Sequence, residues 1–152
     1  MKPAILLAFV LLSACGAGAA PPSEQPVLVV IESVPPPLVG WTSWDEDGVR
    51  IALDPSLDPV EMLVVLQHEI WHALTLHSGH FDVPGCSCAG AYPSRPCAED
   101  LESVEGCGPI TLDFPDDPGL LALPSGGVAS IVDAAATWWN DALGRTVVEV
   151  TR

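Results

Sequence analysis

DPVEMLVVLQHEIWHALTL, Asp58 to Leu76, holds every signal that starts a helix and none that stops one. Asp58 is a helix N-cap residue, and Pro59 fits the first helical position, where a missing N–H costs nothing. Glu61, three residues after Asp58, completes a capping box, and Leu57 facing Met62 adds a hydrophobic staple. The expected helix runs from Pro59 through about Leu76. His68 and His72, four residues apart, then project from one face, with Glu69 directly after the first of them.

That spacing has a chemical meaning. HEIWH reads HExxH, the signature of a zinc hydrolase. A catalytic zinc takes three protein ligands and leaves one position open, where water is acidified to a pKa near 7. His68 and His72 supply two nitrogens of rigid geometry, and Glu69 stands where it takes the proton from that water, as general base and then acid. Zn2+ is thus the expected cofactor, and two histidines leave its third ligand to be found.

Around this helix the pattern is mixed. VLVVI (Val27 to Ile31) is an apolar, β-branched run of the kind found in buried strands, and the PPPLVG after it is expected to be loop. Gly48 to Asp54 alternates like a second strand, with Val49, Ile51 and Leu53 on one face, and ends at Pro55. CAEDLESVEG predicts a short acidic helix ending near Gly106, Pro109 to Phe114 a strand, and Val128 to Leu143 a helix stopped by Gly144. Thr146 to Val150 closes the chain as a strand. The fold class is α+β: a small twisted mixed sheet packed on the zinc-site helix and a second long helix.

The first residues, Met1-Lys2-Pro3 and then AILLAFVLLSAC, have the charged, apolar and small-residue regions of a secretory signal, too short to span a membrane. Leu12-Ser13-Ala14-Cys15 resembles the bacterial lipobox, which implies cleavage before Cys15 and lipidation of its thiol and amine. Gly16 resembles the second residue of lipoproteins passed to the outer membrane. The expected organisation is a signal over residues 1–14, a Pro- and Ala-containing tether over 15–26 and one domain over 27–152. Export implies an oxidising compartment, so Cys86, Cys88, Cys97 and Cys107 are expected to form two disulfides. A Cys86 to Cys88 bridge is strained, which leaves two connectivities, each joining the CxC to Cys97 and Cys107. A formal charge of −15 with only five Lys plus Arg excludes a nucleic-acid footprint and argues against electrostatic attraction to anionic lipid. Contact with a membrane is expected through the lipid anchor only, the partner is a protein or peptide substrate, and the chain itself is expected to be a monomer.

HEIWHAL resembles the start of the HExxHxxGxxH motif of the metzincin metallopeptidases, in particular the matrixin-like ones of bacteria. Gly79-His80-Phe81-Asp82-Val83-Pro84-Gly85 is similar to the GHxDDPG that follows the zinc helix in matrixins, and Gly90-Ala91-Tyr92-Pro93-Ser94 to their Met-turn. CAEDLESVEGCG is similar to the helix that ends their catalytic domain, with Asp100 at the Asp. PITLDFPDD and AAATWWNDALGRTVVEV are similar to the strand, helix and strand that open the family domain, yet here they follow the zinc helix. The resemblance implies a circularly permuted metzincin fold in which residues 109–150 match the family's N-terminal strand and helix. It also implies zinc-dependent cleavage of peptide bonds.

The chain departs from the motif at four places. Thr75 stands at the turning Gly, Ser78 at the third His, Ala91 at the Met, and the bulky Trp71 where a Gly is common. If Thr75 lengthens the helix by one turn to a stop at Gly79, His80 is the third ligand; if the helix unwinds early, His77 is. A Glu of the later helix, among Glu99, Glu102 and Glu105, is a further candidate, and Asp82 a candidate partner of a zinc-bound histidine. The same departures favour an alternative function, a zinc-retaining but inactive binding or structural lipoprotein on the same scaffold.

Overall fold

The computed structural model describes residues 26–76, 96–104, 107, 109–114 and 127–151. Among these are five strands and three helices. β1 is Val27–Ile31, β2 Gly40–Asp45, β3 Gly48–Leu53, α1 Pro59–Thr75, α2 Ala98–Ser103, β4 Ile110–Asp113, α3 Gly127–Leu143 and β5 Val148–Thr151.

α1 starts as its sequence dictates. Val60 N and Glu61 N donate to Asp58 Oδ1 at 2.8 and 2.9 Å, and Asp58 N donates to Glu61 Oε2 at 3.0 Å, so the capping box closes in both directions. Leu57 and Met62 are both buried beneath it.

The strands form one mixed sheet in the order β2-β3-β1-β4-β5. β3, β1, β4 and β5 are parallel to one another, and β2 runs antiparallel to β3 at one edge. The α+β class with a mixed sheet and two long helices is thus the observed architecture. Val27, Val29, Val49, Ile51, Leu53, Ile110, Leu112 and Val148 turn one face inward, and α1 and α3 pack against each other and against the sheet. Leu28, Arg50 and Glu149, on the alternate positions, are exposed.

PPPLVG is loop as far as Val39, as expected, and Gly40 opens a strand that the sequence reading did not include: Gly40–Asp45 forms β2, in a hairpin with β3 whose two-residue turn is Glu46–Asp47. The signal was there in Asp47-Gly48 after alternating Trp41, Ser43 and Asp45. Gly48 takes φ 125°, and Asp47 N donates to Asp45 Oδ1 at 2.8 Å, which shapes the turn. α2 also ends at Ser103 rather than near Gly106.

The last crossover is held by one side chain. Asn140 in α3 accepts from Val147 N (2.7 Å) and Val148 N (3.0 Å) and donates to Val148 O (2.8 Å), so it fixes where β5 begins. Gly144, at φ 63°, makes the preceding turn possible. Asn140→Ala leaves three backbone groups to find water in a half-buried place and is expected to cost about 2 kcal/mol in urea unfolding.

Candidate functional site

The capping box fixes the phase of α1, and that phase brings His68, Glu69 and His72 to one cavity. All three are nearly enclosed, with 8, 5 and 8% of their surface exposed. The imidazole centroids lie 5.2 Å apart, with planes inclined at 72°, as expected for side chains one turn apart. The cavity holds about 450 Å³ and is walled on its other side by Leu38 of the preceding loop and by β2, through Gly40, Trp41, Thr42, Ser43 and Trp44. Apart from the histidines, Glu69 and Leu38, this wall comes from the strand that sequence reasoning missed.

β2 sets the state of Glu69. The Thr42 hydroxyl lies 2.7 Å from Glu69 Oε2 and 3.1 Å from its backbone carbonyl oxygen, donating to either. Burial pushes the Glu69 carboxyl up to about 7, and the Thr42 hydrogen bonds oppose that rise only in part. A carboxyl poised near neutral pH is suited to take up a proton and give it back.

Glu69 Oε1 lies beside Gly40. A methyl group built at Gly40 meets Val65 Cγ1 in a forbidden overlap and stands 2.9 Å from Glu69 Oε1 and 3.2 Å from its Cγ. Glycine is required here for close approach of strand and helix. Gly40→Ala is expected to push Glu69 from its place and to destabilise the fold by about 2 kcal/mol. Thermal unfolding of the metal-free protein measures that loss.

Trp71, the bulky residue within the motif, points away from the cleft into the core and is fully enclosed. Its Nε1 donates to Ser103 Oγ at 2.9 Å, and Ser103 Oγ donates to Asp100 O at 2.6 Å, so α2 is tied to the turn that carries His72. The Trp71 ring also meets the His72 ring edge-on at 5.0 Å. The buried Asp100 accepts from Cys97 N at 2.8 Å and holds the start of α2. Glu102 is exposed on α2 and is not among the residues lining the cavity.

The helix does not run on to a stop at Gly79. α1 ends at Thr75, and Leu76 takes the left-handed conformation (φ 52°, ψ 33°) with its N–H on His72 O. Thr75 instead turns its hydroxyl back onto Trp71 O at 2.9 Å. The expected third ligands, His77 and His80, lie outside the described residues, as do Asp82, Cys15, Cys86 and Cys88. Among the described residues no group of three His, Cys, Asp or Glu is placed to hold a metal ion. His68 and His72, neighbouring and open to one cavity, fit as two ligands of a zinc. Cys97 and Cys107 are both disulfide-bonded. No helix among the described residues is long and apolar enough to cross a membrane.

A scan against protein-family models and searches of curated proteins and of solved structures find no match to this chain.

Proposed function

We propose that the chain is a zinc-dependent endopeptidase, held at the bacterial outer membrane by a lipidated Cys15. The observation that carries this reading is the enclosure of His68, Glu69 and His72 in one cavity beside β2, the edge strand among the described residues, with the Glu69 carboxyl near neutrality. His68 Nε2 or Nδ1 and the corresponding atom of His72 would hold the ion. Bound zinc would supply Lewis acidity toward a peptide carbonyl and toward water.

The protein's own residues do the rest. Thr42 fixes Glu69 Oε2 and leaves Oε1 as the proton acceptor. Glu69 takes one proton from the attacking water as the new C–O bond forms. It then returns that proton to the amide nitrogen as the C–N bond breaks, which makes a carboxylic acid and an amine, and the acid's remaining proton passes to the amine to leave a carboxylate and an ammonium.

Substrate alignment comes from β2. Asp54 N donates to Val39 O at 3.0 Å, and with the register Trp41 to Ala52 this turns the backbone of Val39, Trp41 and Ser43 toward β3. Gly40, Thr42 and Trp44 therefore present their N–H and C=O groups to the edge that no other strand among the described residues pairs with, where an extended peptide can add as a further strand.

His80 is the proposed third ligand and His77 the alternative. α1 ends at Thr75 with Leu76 left-handed, which is the early end that the sequence ties to His77, so the support for His80 is its place in the segment similar to the matrixin GHxDDPG. The metzincin reading, circularly permuted, is supported by the sheet order. The segments that resemble the family's opening strand, helix and strand are β4, α3 and β5, and β4 lies directly beside β1. Val27 pairs with Leu112 and Leu112 with Val150, so the start of β1 and the end of β5 are separated by one strand, about 10 Å, which a short connection spans.

The test is zinc content together with cleavage. The purified protein is expected to hold one zinc and to cut an unfolded protein substrate, with cutting stopped by a chelator and restored by zinc. Zinc binding without cleavage would favour the inactive, zinc-retaining lipoprotein; no zinc at all would overturn both.

A further inference from the structure

We infer that the cleft selects an extended peptide with a large apolar side chain opposite Trp44 and a basic residue on the side of the Asp45–Asp47 turn. The inference deepens the peptidase reading and takes from it only that the occupant is a peptide.

Three observations place that preference. The first is the position of Trp44. β2 and α1 run the same way, since Gly40 lies against Val65 and Glu69 and Thr42 against Glu69. Two residues further along a strand is about 6.6 Å, or about four residues of helix, which brings Trp44 over the turn of His72. Both residues line the cavity, and Trp44 keeps 38% of its surface exposed.

The second is the direction of its side chain. Gly40, Thr42 and Trp44 alternate on the face toward α1, and their backbone groups meet the edge that no other strand among the described residues pairs with. A peptide strand added there places the residue opposite Trp44 on the same face, in side-chain contact with the indole. Trp41, 53% exposed, stands three residues back on the alternate face and offers a second indole to a peptide residue three positions from the one opposite Trp44. Aromatic and aliphatic side chains gain most from such a partner, through buried area and ring contact.

The third is charge. Asp45, Glu46 and Asp47 are all exposed at the end of the same strand, directly past Trp44. The cations among the described residues are engaged elsewhere. Arg50 donates to Glu32 Oε2 at 2.7 Å, and Arg145 donates to the carbonyls of Val104 and Cys107. A peptide lying on β2 supplies the positive charge that the turn does not receive from those two arginines.

The test uses the full chain carrying Glu69→Gln, so that bound peptide stays intact, and fluorescence anisotropy of a labelled, capped decapeptide. The parent peptide has a central Phe among Thr and Val, with Lys near both ends. Two relatives replace the Phe by Ala or each Lys by Glu. The parent is expected to bind about tenfold tighter than either relative. Trp44→Ala is expected to reduce the Phe-to-Ala ratio to about one, and Trp44→Phe to retain most of it. Equal affinities for the three peptides, no binding of any, or a ratio unchanged in Trp44→Ala would each overturn the inference. Cleavage by the unmutated chain separates the two claims. Selective binding without cleavage sinks the peptidase reading alone, and cleavage of all three peptides at one rate sinks the selectivity alone.

Discussion

Glu69→Gln is expected to abolish peptide hydrolysis while making the metal-free protein more stable at neutral and alkaline pH. The amide keeps the shape of the carboxyl and can accept from Thr42, but it cannot carry a proton between water and a leaving amine. Loss of a general acid and base of this kind costs on the order of a thousandfold in kcat/KM. The stability change follows from burial. In the unfolded chain the Glu69 carboxyl ionises at its ordinary value of 4.5, and in the folded chain only at about 7. Below pH 4.5 both states hold the proton and Glu69 contributes nothing. Between 4.5 and 7 the unfolded chain ionises while the folded one does not, so stability falls as pH rises; above 7 the penalty is constant. At roughly 1.4 kcal/mol per pH unit it reaches about 3 kcal/mol. In excess chelator the difference between Glu69→Gln and the unmutated protein should therefore be near zero at pH 4 and about 3 kcal/mol in the variant's favour at pH 8. Urea unfolding at a series of pH values measures it. A difference that does not grow between pH 4.5 and 7 would mean that Glu69 is not held neutral by burial.

The sequence exposes some of these features and hides others for physical reasons. α1 is readable because its start is local: Asp58, Pro59 and Glu61 satisfy one another within a single turn, and the histidine spacing follows from helix geometry alone. The partners of Glu69 are not readable in that way. Gly40 and Thr42 lie 29 and 27 residues before it, on a strand whose Trp-Thr-Ser-Trp core follows a proline-rich run. They meet Glu69 only because β2 pairs with β3 and β3 lies under α1. The end of α1 misleads for another reason. Leucine pays about 1–2 kcal/mol to adopt the left-handed conformation, so Gly79 looks the better stop, yet the turn falls at Leu76, whose side chain packs against the core. Where the third zinc ligand comes from depends on that turn, which local preference does not reveal.

Trp139→Ala is expected to cost about 4 kcal/mol and to loosen the histidine pair from a distance. Trp139 is fully enclosed, and its ring stands edge-on to Trp138 at 5.3 Å. Its Nε1 donates to Gln67 O at 3.0 Å, on the residue directly before His68. That bond crosses from α3 to α1 and fixes the height at which the histidine-bearing turn sits over the sheet. Truncation to Ala removes a fully buried indole that reaches from α3 to α1 and opens a cavity there, which accounts for the size of the loss. Trp139→Phe separates the two contributions: it keeps most of the ring and removes only the N–H, leaving a cost of about 1–2 kcal/mol. Val60→Ala, on the exposed first turn of α1, should change stability by no more than about 0.5 kcal/mol. If urea unfolding gave Trp139→Ala a loss like that of Val60→Ala, α3 would not be what holds α1 in place. If Trp139→Phe matched Trp139→Ala, the anchoring would lie in the hydrogen bond to Gln67 rather than in the buried ring.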